Sequence, residues 1–141
     1  MIVSPGRLSD APQIYRVLSE EMWPEVGQGE INPVKAYERI WDCLETGFVY
    51  NVWDEGELAG TVGFIETSPW WSDETKLSDS WIYVRKDWRR TRAIHVLMGQ
   101  VKRLAFKRPV YIGIGSDVDI ERKTKLFGRF GKMVGALYRV E

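Results

Sequence analysis

The chain has 141 residues, of which 44% are hydrophobic and 28% charged; this composition excludes a disordered or low-complexity chain, and the length suits one domain over residues 1–141 better than two. The single cysteine, Cys43, excludes an internal disulfide and a Cys-His metal set, so we expect no bound metal. The sequence has no membrane-length apolar run and no signal peptide, so we expect a cytoplasmic protein that does not bind a membrane. The net charge is zero, but residues 1–81 hold 5 basic and 15 acidic residues, whereas residues 82–141 hold 15 basic and 5 acidic residues. Either the first half binds a cationic partner and the second half a polyanion, or the two halves attract each other.

The first third of the chain predicts two helices. Ser9 and Asp10 are suited to cap the first, which presents one apolar face and should run to about residue 22. Asn32 followed by Pro33 predicts the start of the second. Its apolar side chains recur at i, i+3, i+4 and i+7, and Gly47 ends it.

Three strands follow these helices. Residues 48–53 and 58–66 are rich in β-forming side chains, and the turn signal between them, residues 54–56, predicts a hairpin. Residues 68–73 should form a loop and residues 77–84 a third strand.

The last third predicts a helix, a short strand, a helix and a final strand. Residues 92–106 form a clear amphipathic pattern that Pro109 closes. Residues 110–114 predict a short buried strand, residues 119–130 a helix and residues 133–140 a final strand. The order α-α-β-β-β-α-β-α-β, with an optional short strand ahead of the first helix, indicates a mixed α/β (α+β) domain.

A cationic turn joins the third strand to the helix after it. Its sequence is Val84-Arg85-Lys86-Asp87-Trp88-Arg89-Arg90-Thr91-Arg92-Ala93-Ile94. Free N–H groups and the positive dipole end at a helix start form an anion site, and flanking arginines add charge-assisted hydrogen bonds. A pyrophosphate suits such a turn.

This segment and the element order resemble the GNAT-type N-acetyltransferases. That family binds coenzyme A at this turn with a pattern like Val-x-x-x-x-Arg-Gly-x-Gly-x-Gly or Ala, which Val84 and Arg89 match; Arg90, Arg92 and Ile94 stand where glycines are frequent. The resemblance implies a GNAT-like acyl-CoA N-acyltransferase fold and acetyl-CoA as the cofactor. It implies cofactor contacts from Tyr83, Val84, Arg89, Arg90, Thr91, Arg92, Ala93 and Ile94.

The resemblance also implies where catalytic groups should lie. Backbone N–H groups near residues 82–84 would stabilise the oxyanion. The family often has a Glu where this chain has Ser78. Strand alternation puts the neighbouring Asp79 on the opposite face unless a bulge intervenes, and Glu66, at the end of the preceding strand, is an alternative base. The family's usual Tyr acid is Phe127 here, which leaves Ser116 and Tyr138 as substitutes by residue type.

The acceptor would be a primary amine, on a small molecule or a protein. Trp23, Trp70 and Trp71 are candidates to line its cleft, since the family builds that cleft from the first helices and the loop between the third and fourth strands. Packing alone explains these rings equally well.

Three functions remain open from the sequence. The first is acetyl transfer to an amine. The second is a module of the same fold that binds acyl-CoA or a protein without catalysis, indicated by Ser78 and Phe127. The third and least favoured is nucleic-acid binding through the basic turn, with Trp88 stacking on a base. Because only one strand fits beyond Gly131, a partner chain could complete the sheet edge and form a homodimer.

Overall fold

A mixed sheet with helices on both faces forms the centre of the structure, a computed structural model that describes residues 1–27, 29–116 and 118–141. Within these residues the sheet has five strands: β1 (Ile2–Pro5), β2 (Val49–Asp54), β3 (Glu57–Thr67), β4 (Lys76–Val84) and β5 (Val110–Tyr111). They are adjacent in sequence order; β1 to β4 are antiparallel neighbours and β5 runs parallel to β4. The predicted mixed α/β class is confirmed, and the optional N-terminal strand is β1.

The helices cover both faces of the sheet. Helix α1 (Ala11–Val17) continues through a π-helical turn (Leu18–Met22) into α2 (Trp23–Val26). Helix α3 (Pro33–Thr46) packs beside α1 on one face. Helix α4 (Ala93–Ala105) packs on the other, where the end of α5 (Ile120–Phe127) joins it.

Each face therefore has its own apolar core. On the first face Ile14 of α1 and Ile40 of α3 are buried with Trp81 and Tyr83 of β4. On the second, Leu97 of α4 is buried in a cluster with strand side chains of β2, β3 and β4. The strand β4 thus presents large side chains to both cores, as expected for a central strand.

Local signals placed most element boundaries within one or two residues. The Asn32 side chain accepts a hydrogen bond from the Lys35 N–H at 3.2 Å and caps α3, and Gly47 ends that helix with φ 81°. The β2–β3 turn has positive φ at Glu55 and Gly56 (49° and 82°), the geometry of a tight hairpin turn.

The predicted cap of the first helix is wrong. The Asp10 carboxylate accepts from the Arg7 N–H at 2.8 Å and from Asn51 Nδ2 at 3.3 Å, so it caps the short 3₁₀ turn Leu8–Asp10 and ties it to β2. No side-chain hydrogen bond caps the start of α1 in the part of the chain that the structure describes, Ser9 included.

Two C-terminal predictions also require correction. The buried strand expected over residues 110–114 is only two residues long, and Tyr111 is 41% exposed. Residues 132–141, all described, form neither helix nor strand, so the final strand predicted over residues 133–140 is wrong. A strand forms only where a neighbouring strand supplies backbone hydrogen-bond partners. The edge strand β5 has two residues, so it supplies almost no such partners for residues 133–140.

Strand β4 carries one extra residue near its middle. Asp79 pairs with Phe64 and Trp81 with Gly63, so Ser80 lies between two register pairs. The Ser80 hydroxyl accepts hydrogen bonds from Arg39 Nη1 at 3.2 Å and from the Cys43 thiol of α3 at 3.6 Å. This bulge changes which backbone groups of β4 face β5.

Candidate active site

A gap separates β4 from β5 over the second half of β4. The two strands are paired only at Leu77 with Val110 and Ser78 with Tyr111, because β5 ends there. Strand β4 continues to Val84, which leaves about six residues, or roughly 20 Å, without β5 beside them.

The backbone N–H groups of Ile82 and Val84 point into this gap. The Leu77 N–H donates to the Pro109 carbonyl on the β5 side, whereas the Arg85 N–H donates to a β3 carbonyl, both at 2.9 Å. Since hydrogen-bonding direction alternates along a strand and the bulge adds one residue, Ile82 and Val84 fall on the β5 side. The gap is therefore lined by backbone donors.

A cationic cleft of about 390 Å³ adjoins the turn that follows β4. Its lining residues are Lys86, Asp87, Arg89, Arg90 and Arg122, four cations and one anion. Arg122 comes from α5, which brings a basic side chain from a distant part of the sequence to the turn. Such a concentration of guanidinium groups is suited to a phosphorylated ligand.

The Arg89 side chain is turned back on β4. Its Nε donates to the Val84 carbonyl at 3.0 Å, and its Nη2 donates to Glu25 at 2.7 Å and to the Tyr83 hydroxyl at 3.1 Å. The Arg89 bond holds the pKa of Glu25 below its usual value, and the same carboxylate raises that of Arg89. Burial and the Glu25 carboxylate raise the pKa of Tyr83 to about 12.

Two more anchors hold the turn to the rest of the fold. Arg85 pairs with Glu21 at 2.9 Å and donates to the Leu58 carbonyl at 3.1 Å. The Trp88 indole N–H donates to Asp54 at 2.9 Å. The turn is thus attached to α2, to the preceding π turn and to the β2–β3 hairpin.

The other residues predicted to bind a cofactor lie around the start of α4. The Thr91 hydroxyl donates a hydrogen bond to the Trp88 carbonyl and accepts one from the Ala93 N–H at 3.3 Å. Arg92 is exposed, and Ile94 packs against the α4-side core. The N–H groups of Ile94 and His95, in the first turn of α4, have no acceptor within the helix, as at any helix start.

Asp79 lies where the gap begins. It directly follows the last residue of β4 paired with β5, and its Oδ1 accepts from the Gly113 N–H at 2.9 Å. Burial raises the pKa of this carboxyl, although hydrogen bonds from the Gly113 N–H and its own N–H oppose the change. A carboxyl of raised pKa in a cleft is a candidate acid or base.

The remaining predicted catalytic residues are engaged elsewhere. Glu66 pairs with Arg108 at 3.3 Å and is partly solvated. The Ser78 hydroxyl lies 3.0 Å from that of Thr67. The Ser116 hydroxyl accepts from the Val118 N–H at 3.1 Å, a local turn contact.

The three predicted acceptor-site tryptophans are not brought together. Trp23 is half-buried on α2, at the end of β4 that leads to the turn. Trp70 and Trp71 precede the other end of β4, roughly 27 Å away along the strand. They are 93% and 71% exposed and contact each other edge to face, with ring centroids 5.5 Å apart.

Part of the charge asymmetry of the sequence is neutralised within the fold. Of the four ion pairs among the described residues, three join the acidic half to the basic half: Glu21 with Arg85, Glu25 with Arg89 and Glu66 with Arg108. This supports mutual attraction of the halves. Sequence reasoning missed Glu21, Glu25 and Arg122, since only the fold brings them to the turn. Lys86 lies in the turn itself but was not among the predicted cofactor contacts.

The described residues contain no group of three or more His, Cys, Asp or Glu that could hold a metal ion. Among those same residues, no helix is both long and apolar enough to cross a membrane.

Comparison with protein families identifies one match. The model of the acetyltransferase (GNAT) family matches residues 12–131. Comparison with curated proteins gave no match.

Solved structures share the whole fold. A predicted acetyltransferase with acetyl-CoA from Clostridium acetobutylicum has a TM-score of 0.72 at 10% identity, covering 99% of this chain and 95% of its own. A ribosomal-protein-alanine N-acetyltransferase from Brucella melitensis biovar Abortus 2308 has 0.69 at 14%, covering 100% and 99%. An aminoglycoside acetyltransferase from an uncultured soil metagenomic sample has 0.69 at 14%, covering 99% and 96%. At these identities the likeness is one of fold.

Proposed function

The chain belongs to the acetyltransferase (GNAT) family, and on that premise we propose that it transfers an acetyl group from acetyl-CoA to a primary amine, with residues 1–141 acting as one domain. The observation that carries the proposal is the gap beside β4, which runs from the cationic cleft at the turn to the carboxyl of Asp79. Phosphate-binding charge, strand-edge donors and a half-buried carboxyl thus follow one another along a single strand.

Coenzyme A fits the residues present. Its pyrophosphate matches the cations of the cleft, Lys86, Arg90 and Arg122. The N–H groups of residues 92, 94 and 95 at the start of α4 add further donors, whereas that of Ala93 is bonded to Thr91. The extended pantetheine arm of coenzyme A carries amides that suit the unpaired edge of β4. Val84 and Ile94 supply apolar surface on the same side of the sheet.

The chain's own groups match the demands of amide formation. Acetyl-CoA, when bound, supplies an activated acetyl thioester. The N–H groups of Ile82 and Val84 are the candidates to stabilise the oxyanion, because they face the gap with no strand beside them. Asp79 is the candidate to take the proton that the amine loses, since its raised pKa makes it a stronger base than an ordinary carboxylate.

The other candidates take secondary places in this proposal. Glu66 and Ser78 are engaged by Arg108 and Thr67 before the gap begins. A thiol leaving group of pKa about 8.5 departs with little help near neutral pH, so protonation by Ser116 is not required. Trp23 is the ring best placed to contact an acceptor, because its helix α2 contacts the turn through Glu25.

The acceptor class stays open between small molecules and proteins. The structural neighbours include an aminoglycoside acetyltransferase and a ribosomal-protein-alanine N-acetyltransferase at the same TM-score and identity. An amine screen should therefore include a polyamine, an aminoglycoside, a lysine peptide and a peptide with N-terminal alanine.

Two measurements test the proposal in order. Thermal-shift titration with acetyl-CoA at about 100 times its dissociation constant should add roughly 2.7 kcal/mol of stability. Arg90→Ala should reduce this shift, whereas Arg103→Ala, in the last turn of α4, is the matched control and should not. Thiol release with one of the four amines, lost in Asp79→Asn, would then identify the reaction.

Binding without catalysis is the second candidate, and one observation favours it. Phe127 lies at the end of α5, where the family often has a tyrosine, and packs into the α4-side core with no hydroxyl to donate. A protein that binds acetyl-CoA yet releases no thiol with any amine over hours would be such a module. Nucleic-acid binding is less favoured, because Arg85 covers one face of the Trp88 ring at 5.2 Å.

A further inference from the structure

Three of the five N–H donors of the Arg89 guanidinium are engaged within this chain, which leaves the two on Nη1 for a ligand. The three engaged donors bond to the Val84 carbonyl, the Glu25 carboxylate and the Tyr83 hydroxyl. A phosphate that took these donors would leave Glu25 without its guanidinium partner and a partly buried carbonyl without a donor, and each such loss is unfavourable.

Other cations of the cleft are better placed to meet a phosphate. Lys86, Arg90 and Arg122 line it and form no ion pair with any residue in the described ranges. Asp87 is the one acidic side chain in the lining. The charge for the ligand is thus available without Arg89.

We propose that Glu25 is a positioning residue of the cofactor site: it holds Arg89 folded back on β4, so that the turn of residues 89–93 is set before the cofactor binds. The proposal rests on the proposed function, because it assumes that this turn meets coenzyme A. The role is indirect, since Glu25 acts through Arg89 and contacts no ligand.

The geometry supports positioning in two ways. Arg89 bonds back to the residue five positions earlier, which closes the turn on itself, and Glu25 fixes the other side of the same guanidinium at 2.7 Å. The groups that act on Glu25 are the Arg89 guanidinium, the Tyr83 hydroxyl and the Lys123 ammonium of α5. Two are cationic and the third donates a hydrogen bond, so the carboxylate stays ionised and its partner stays in place.

Calorimetric titration with coenzyme A and with pantetheine, which lacks the phosphates, tests this role. Glu25→Gln and Arg89→Lys should each weaken coenzyme A binding about tenfold, the effect of one lost hydrogen bond to a charged group. Pantetheine binding should not change. Arg103→Lys, in the last turn of α4 and outside the cleft, is the matched control and should stay within about twofold of wild type. Glu66→Gln, which breaks a remote ion pair, should have no effect.

The double variant Glu25→Gln with Arg89→Lys separates position from general damage. If both residues act through the one Glu25–Arg89 ion pair, the second substitution should add little to the loss of affinity caused by the first. Tighter binding by Glu25→Gln would mean that Glu25 competes with phosphate for Arg89, and a normal affinity of Arg89→Lys would mean that charge alone matters; either result overturns the proposal.

A second readout needs no cofactor. The Arg89 Nε–H should give a sharp ¹⁵N resonance in the free wild-type protein and lose it in Glu25→Gln, because the guanidinium becomes mobile. An unchanged resonance would refute the proposal that Glu25 holds Arg89 in place, even if coenzyme A binds. Failure of the wild type to bind coenzyme A would instead remove the proposed function, and the role of Glu25 in a cofactor site with it.

Discussion

Replacing Gly63 by alanine should be among the most destabilising small changes in this protein. A Cβ at this position would lie less than 3.0 Å from three carbons of the Trp81 ring. The ring cannot easily move away, since Trp81 is 4% exposed and its indole N–H donates to the fully buried Thr61 hydroxyl at 3.1 Å. We expect a loss of about 3 kcal/mol, from overpacking of about 1–3 kcal/mol and a weakened buried hydrogen bond of about 1 kcal/mol.

Thermal and urea unfolding measure this loss. At roughly 3 °C per kcal/mol for a chain of this size, Gly63→Ala should lower Tm by about 10 °C. Gly99→Ala is the matched control: Gly99 lies inside α4, and a Cβ there would meet nothing within 4 Å. Alanine at that position should therefore stabilise the fold by about 0.5–1 kcal/mol.

A double-mutant cycle identifies the cause. In the Trp81→Leu background, Gly63→Ala should cost less than about 1 kcal/mol, because the ring that it strikes is gone. An equal cost in both backgrounds, or no cost in the wild type, would refute the packing argument. Since Gly63 faces the bulge that orients Ile82 and Val84, any soluble Gly63→Ala protein should also bind acetyl-CoA more weakly.

Three further predictions concern charge and the C-terminal residues. In urea unfolding, the stability of Asp79→Asn relative to wild type should increase as the pH rises from about 4 to 7. The reason is that a carboxyl whose pKa is raised on folding destabilises the fold once it must ionise. A stability difference that does not change with pH would contradict the burial of Asp79. Glu25→Gln should cost about 1 kcal/mol at pH 7 and less as pH falls through the lowered pKa of Glu25, whereas Glu66→Gln, in a longer and more solvated pair, should cost under about 0.5 kcal/mol. Deleting residues 132–141, which are exposed throughout, should leave Tm within about 2 °C, and a larger fall would show that they pack against the domain.

The parts of the fold that the sequence predicted are those with local causes. Asn32 with Pro33 starts α3 and Gly47 ends it, because capping and positive φ depend on a few adjacent residues. The period of α4 reports its buried face in the same way. Residues 133–140 contain β-forming side chains but lack a neighbouring strand, and no local pattern supplies one.

The site was predictable to a similar depth. The turn after β4 is local, and its cations are visible in the sequence. The Glu25–Arg89 contact spans 64 positions, so neither periodicity nor spacing indicates it. The bulge at Ser80 was not predicted, although a glycine inside a strand, here Gly63, is the kind of signal that marks one.

The shortness of β5 has a consequence for how the gap admits a ligand. One wall of the gap is β4, held by β3 along its whole length, and the other begins at a strand fixed by two register pairs. Such an edge should open by local fluctuation at far lower free energy than global unfolding. Amide hydrogens of β5 should therefore exchange quickly in the free protein while those of β3 are protected, and a ligand bridging the walls should slow exchange first at residues 110–113.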